Sequence, residues 1–288
     1  MHGRRRPTGR NASEWEVLGL LLAAPAPKGI FIFAPEMLWD FIFVAILFVV
    51  VFVMIERTRA GRPVPPIRRI PGLEAIDEAV GRSTEMGRPI HYSPGMSSFG
   101  PELYAGLATL SYVAKVAAQY DTKLIVTIRR PQVQPIALEI VKQAYLEAGR
   151  PDAFNRDDVR YLSDWQFSYT AAVMGIIQRE KPAANLLIGY WMAEALALAE
   201  AGAEAGCIQI GANTNVFQIH FFIVACDYTL IGEELFAASA YLSKEPMLTG
   251  TVVAQDMMKI LFGALIIAGT IWATLAGNAS ALVKFLSL

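Results

Sequence analysis

Histidine and cysteine are scarce in this 288-residue chain, three of the first and two of the second. Cys207 and Cys226 stand apart with no Cys-x-x-Cys and no histidine-rich companion, so neither a disulfide framework nor a zinc site is signalled. Both read as small buried hydrophobes. No metal and no cofactor is expected. Catalytic signatures are missing too: no Gly-x-x-x-x-Gly-Lys-Ser/Thr, no Gly-x-Gly-x-x-Gly after a strand, no His-Glu-x-x-His and no Gly-x-Ser-x-Gly occurs. Motif-borne enzymes drop out, and the reading leans away from an enzyme. Of the histidines, His220 lies in an apolar run and reads as a core residue, whereas His91, in His91-Tyr92-Ser93-Pro94-Gly95, is the better candidate base, with Ser93 the one nucleophile near it in sequence.

Charge is also sparse, 18% of residues against 54% hydrophobic, which is more apolar than an ordinary soluble chain. The net charge of −1 hides a segregation: residues 72–256 carry 13 basic and 21 acidic side chains, the two flanks 12 and 5. An acidic body excludes nucleic acid as a partner, because phosphate binding needs clustered cations. Basic flanks point to membrane lipids.

What the flanks do contain is long apolar runs. Residues 37–55, MLWDFIFVAILFVVVFVMI, hold Asp40 as their one charge and as a helix measure roughly 28 Å, about one hydrocarbon core. A second transmembrane helix is expected over 257–283. There Ala264, Ala268, Gly269, Ala273 and Gly277 recur at a spacing of four, leaving a groove in which another helix can approach closely. Arg57, Arg59, Arg62, Arg68 and Arg69 follow the first span and predict a cytoplasmic central domain at the membrane surface.

Ahead of the first span, residues 1–36 form a tail with a short interfacial helix over 14–24, opened by the Ser13/Glu16 capping box. Residues 56–71, with Pro63, Pro65, Pro66 and Pro71, form a stiff basic connector. Residues 284–288 are a C-terminal tail.

From about residue 87 short apolar runs alternate with helical stretches. Strands are expected at 88–92, 124–128, 159–162, 185–189, 207–211 and 218–225, and helices at 101–120, 135–148, 167–180, 192–205 and 230–243. The fold class is therefore α/β: a Rossmann-like, mainly parallel sheet flanked by helices and inserted between two transmembrane helices. The last two strands follow each other without a helix, so one edge is expected to be antiparallel or differently wound. Ligands of such sheets gather at the carboxyl ends of the strands. The candidate binding residues there are Ser93, Gly95, Ser97, Arg129, Arg130, Asn213, Asn215 and Asp227, a set suited to an anion or nucleotide and equally to turns and caps.

An amino-terminal span, His91-Tyr92-Ser93-Pro94-Gly95, Gly211-Ala212-Asn213-Thr214-Asn215, Glu233-Glu234-Leu235-Phe236-Ala237-Ala238 and a closing span together resemble a bacterial integral membrane family catalogued only as a domain of unknown function. The resemblance covers residues 35–280 and carries no catalytic residue; it implies a bacterial inner membrane. The function expected is a structural or organising protein that self-associates into a large symmetric homo-oligomer, such as a ring. The alternative is a membrane-tethered enzyme or small-ligand sensor using the strand-end loops. A pore ranks last, since the spans offer only Asp40, Thr270 and Thr274 to a lumen.

Overall fold

The computed structural model describes residues 38–63, 71–243 and 245–275. The expected tail helix, residues 64–70 of the connector with Arg68 and Arg69, Gly277 and the C-terminal tail lie outside them. The chain divides into two compact units, Leu47–Ala264 and the two ends, Met1–Ile46 with Leu265–Leu288.

Helix α1 (Leu38–Arg59) is apolar from Phe41 to Ile55, and the last helix, α9 (Pro246–Leu275), is charge-free from Ile260 on. Both are long and apolar enough to cross a membrane. Helix α9 begins well before the expected start at 257: Pro246 opens it, and Val252, Val253, Ala254 and Met258 are buried, so its first part belongs to the folded body.

Between these helices the order is α2 (Pro71–Met86), β1 (Ile90–Gly95), α3 (Pro101–Gln119), β2 (Leu124–Ile128), α4 (Gln134–Glu147), β3 (Val159–Tyr161), α5 (Gln166–Glu180), β4 (Ala184–Tyr190), α6 (Ala195–Glu204), β5 (Ile208–Asn213), α7 (Ile219–Ala225), β6 (Tyr228–Ile231) and α8 (Glu234–Ser243). The sheet runs β3-β2-β1-β4-β5-β6 with every neighbouring pair parallel. This is the doubly wound order whose crossovers reverse between β1 and β4.

One face carries Ile90, Tyr92, Val126, Ile128, Leu186, Ile188, Ile210 and Leu230 against α2, α3, α4 and α8. The other lies under α5, α6 and α7, with Tyr169, Val173, Leu198 and Phe222 as covering side chains. Strands buried on both faces need near-continuous apolar runs, which is what β2 and β4 have.

Two expectations are corrected. Residues 218–225 form helix α7 rather than a strand, and the sixth strand is the short run Tyr228–Ile231, so no edge is antiparallel. The cause is packing: a Cβ on Gly211 would lie 2.6 Å from the Phe222 ring, so that ring sits directly on β5, which a helix can arrange and a neighbouring strand cannot. His220 is accordingly exposed on α7 rather than in the core. Helix α2, not foreseen behind its prolines, starts at Pro71 with Glu74 in its first turn and buries Ala75, Ile76, Ala79 and Val80.

Candidate functional site

A parallel sheet sends all its strand carboxyl ends to one edge, and the crossover reversal opens a crevice between β1 and β4. Here that crevice is narrowed by backbone. Met96 N–H donates to the Tyr190 carbonyl at 2.8 Å, extending the pairing past the strand ends. Gly95 has φ +89, and a Cβ there would lie 2.7 Å from the Tyr190 nitrogen; one on Gly189 would lie 2.1 Å from the Pro94 carbonyl oxygen. Only glycine allows this approach. Ser93 and Gly95, expected in a loop, are the closing residues of β1.

The polar side chains of the edge are turned inward. Asn213 holds the Trp191 backbone at both its N–H (3.1 Å) and its carbonyl (3.2 Å), and its Oδ1 also accepts from Asn215 N–H at 3.0 Å. Asn215 in turn accepts from Phe217 N–H at 3.0 Å. Arg129 donates to the carbonyls of Met96 at 2.8 Å and Asp164 at 3.1 Å, while Arg130 pairs with the Asp164 carboxylate at 2.9 Å. Thus β1, β2, β4 and β5 ends are joined by side chains the sequence offered as ligand-binding candidates. Five polar atoms at this edge are buried without a hydrogen-bond partner among the described residues: Ser97 Oγ, Arg130 Nε, Trp191 Nε1, Thr214 Oγ1 and Gln218 Oε1. Asp227 does not join the group. It precedes β6 and so lies at the amino edge, where its carboxylate accepts from Gln209 N–H at 2.7 Å; its expected place depended on the strand that is in fact α7.

Below this edge runs a row of buried polar side chains that the strand-end reasoning missed. Alternation in β1, β2, β4 and β5 turns His91, Ser93, Thr127, Asn185 and Gln209 to the α5–α7 face, all buried. Gln209 Nε2 donates to the carbonyls of Ala199 at 2.8 Å and Ala225 at 3.0 Å, so its Oε1 accepts from Asn185 Nδ2 at 2.9 Å. Asn185 Oδ1 then accepts from His91 Nδ1–H at 2.7 Å. His91 Nε2 is left to accept from Thr127 O–H at 2.9 Å, Tyr169 O–H points toward Thr127 at 3.1 Å, and Ser93 donates to Tyr169 at 2.6 Å. Every proton in the row points the same way, from Ser93 to the carbonyls beyond Gln209, which makes the bonds mutually reinforcing. Helix α6 meets the row at Gly202, whose Cβ would fall 2.1 Å from Gln209 Oε1.

The chemistry of this row is quiet. Burial lowers the His91 pKa to about 4, against the smaller opposing pull of its bond to Asn185, so the ring is neutral at physiological pH. Burial raises Tyr169 to about 12. Ser93 gives its proton to Tyr169 and not to His91, so the two do not form a nucleophile–base pair. Glu194, buried at the start of α6, accepts from Met192 N–H at 2.7 Å and from the Gln166 side chain, fixing α5 to α6. Among the described residues no three His, Cys, Asp or Glu side chains converge as a metal ion would need.

A domain of unknown function, DUF6754, matches residues 29–283. The chain belongs to the DUF6754 family. No curated protein and no solved structure matches it. Family membership assigns this site no activity, so the functional reading rests on the geometry.

Proposed function

We propose that this DUF6754 protein is a membrane-anchored organising element: it self-associates into a large symmetric homo-oligomer, a ring being one closed form, with lipids and its own copies as partners. In this reading α1 and α9 span a bacterial inner membrane and the α/β body is cytoplasmic. Arg57, Arg59 and Arg62, exposed after the first span, support that orientation, and the bacterial setting follows the sequence resemblance.

The observation that carries the proposal is the uncovered side of α1 within the folded body. Ile55 meets the Gly250 backbone, where a Cβ would lie 2.7 Å from the Ile55 Cα, and Met54 with Val50 and Val51 packs on Val253 and Ala254. The opposite side is left open, with Phe48 71% and Phe52 58% exposed and Val49 and Val53 beside them. The helices run antiparallel, so stepping about 1.5 Å per residue from Ile55–Gly250 sets Phe48 level with Met257. That level lies just before Lys259, whose ammonium pairs with Glu233 and Asp256. An exposed apolar stripe on the side of α1 that α9 leaves open is a surface that a neighbouring copy can cover. Ala264 and Ala268, exposed on the charge-free part of α9, extend the available contact with small residues.

The test is particle mass and symmetry after mild detergent extraction, by mass photometry with negative-stain imaging. A uniform closed assembly is expected; monomers or dimers overturn the reading.

One observation favours a second reading, a small-ligand sensor. The orphaned Ser97, Trp191, Thr214 and Gln218 atoms follow β1, β4 and β5, the strands flanking the crossover reversal. A compact polar metabolite with both donors and acceptors would satisfy them. A thermal-shift screen in detergent tests it, with loss of the shift in Ser97→Ala as the supporting result.

A further inference from the structure

The two edges of the sheet differ in chemistry. At the amino edge the turns are ion-paired: Arg150 with Asp121 at 2.8 Å, and Lys123 with Glu180 at 3.4 Å and Asp158 at 3.7 Å. At the carboxyl edge the loops present large apolar side chains to solvent. Phe99 follows β1, Trp165 and Phe167 follow β3, and Val216 and Phe217 follow β5, with Trp165 80%, Phe167 72% and Phe217 85% exposed. Single exposed apolar residues are ordinary; a set carried by three loops of one edge is not. The loops are held by the inward-facing network of Arg129, Asn213 and Asn215, so these side chains are displayed on a fixed frame.

Helix α9 emerges at the same edge. Glu233, between β6 and α8, is a carboxyl-edge residue, and Lys259 of α9 pairs with it. The next residue, Ile260, begins the charge-free stretch and is exposed, as are Leu261 and Phe262. The apolar course of α9 therefore starts at the level where the aromatic loops stand.

We propose that the carboxyl edge lies on the lipid headgroup layer, with Phe99, Trp165, Phe167 and Phe217 inserted into it. This rests on the reading of α9 as a membrane span. Aromatic side chains suit the headgroup region, being apolar in body and tolerant of a polar boundary. Charge does not drive the contact: Arg130 is paired with Asp164, Lys259 with Glu233, and Arg129 is spent on carbonyls. Docking is consequently hydrophobic and independent of anionic lipid. It fixes the tilt of the body and so gives all copies of an assembly the same face toward one another.

The test uses the full chain in phosphatidylcholine vesicles, with both native cysteines replaced by alanine and one fluorophore placed through Trp165→Cys, Phe217→Cys, Asp121→Cys or Ile267→Cys. All four sites are exposed, and each labelled chain is compared only once its unfolding midpoint matches that of the cysteine-free parent. Headgroup nitroxide lipids should quench the 165 and 217 labels roughly threefold or more above the 121 label. Acyl-chain nitroxides should quench the 267 label. Equal quenching at 165, 217 and 121 with strong quenching at 267 overturns edge docking alone and leaves the span intact; no quenching at 267, 165 or 217 overturns both. Labels at 165 and 217 shielded from iodide yet unreached by lipid nitroxide mean a protein cover and overturn the proposal, as does quenching that appears only with anionic lipid.

Discussion

Asn213 grips Trp191 through both ends of its side-chain amide, accepting from its N–H and donating to its carbonyl, and so ties the end of β5 to the end of β4. The same oxygen holds the next loop through Asn215 N–H. An amide carries its acceptor and its donor on separate atoms, so it can meet the N–H and the carbonyl of one residue at once. Replacing it leaves the buried Trp191 N–H unmet and its carbonyl with only the long 3.4 Å bond from Asn215 Nδ2, an unmet buried group costing about 1–3 kcal/mol. Asn213→Ala should therefore lower stability by about 3 kcal/mol, and Asn213→Asp should not rescue it, because the carboxylate faces the Trp191 carbonyl. Thermal unfolding of the detergent-solubilised chain checks this; an unchanged midpoint in Asn213→Ala would remove the clamp.

Gly202 is a second point of leverage, since any Cβ there collides with Gln209 Oε1 and Asn185 Nδ2. Gly202→Ala must push α6 off the sheet or break the bond between those two side chains. Either costs about 2 kcal/mol. Gly206, with φ +69 and open space around it, offers the comparison: its alanine variant feels only backbone strain. Chemical denaturation should rank Gly202→Ala as the less stable of the two.

Acid should weaken the fold through His91. Its native pKa, about 4, lies below the ordinary 6.5, so between those values the unfolded chain binds more protons and stability falls as pH falls. The whole effect is about 3 kcal/mol at 1.36 kcal/mol per unit. Most carboxylates titrate lower, which leaves the interval from about pH 6.5 to 5 largely to histidine. NMR of the imidazole should find His91 neutral at about pH 5.5, protonated on Nδ1. A His91 ring that titrates near 6.5 would contradict the closed polar row.

Much of this architecture can be read directly from residues. Strand β2, LIVTI, and helix α3, with Pro101 and Glu102 at its start, declare themselves by period and cap. The carboxyl edge followed from parallel strands, and with it the positions of Ser97, Arg129, Asn213 and Asn215. What escaped was decided by tertiary contact. The run IHFFIVA has strand-like composition, yet it is helical because Phe222 must reach Gly211 from above. Strand order is also what brings His91, Asn185 and Gln209 into one row under Tyr169, and no local pattern encodes strand order. The alternating polar residue in IHYSPG and IQIGAN was the available signal.

The thiols should be inert in the folded protein. Burial raises Cys207 to about 11 and Cys226 to about 12, and Cys207 Sγ–H donates to the Pro182 carbonyl at 3.0 Å. Alkylation by iodoacetamide at about pH 8 should proceed only after unfolding, so its rate becomes a measure of opening. Prompt labelling of either cysteine in the native chain would show that the α6–α7 face is open to solvent.

The assembly reading makes its own demand on α1. Phe48 and Phe52 stand one turn apart on the side facing away from Val253 and Ala254, so changing them leaves the α1–α9 contact of Met54 intact. Phe48→Ser with Phe52→Ser should therefore shrink the particle while thermal stability of the individual chain is kept or slightly improved, since exposed apolar surface is removed. Met54→Ser separates the two roles: it breaks the intrachain packing and should lower stability whatever the assembly state, by about 2 kcal/mol. Mass photometry beside thermal unfolding distinguishes them. A Phe48/Phe52 variant whose particle keeps its full mass would mean that lipid, and not a neighbouring copy, covers this stripe.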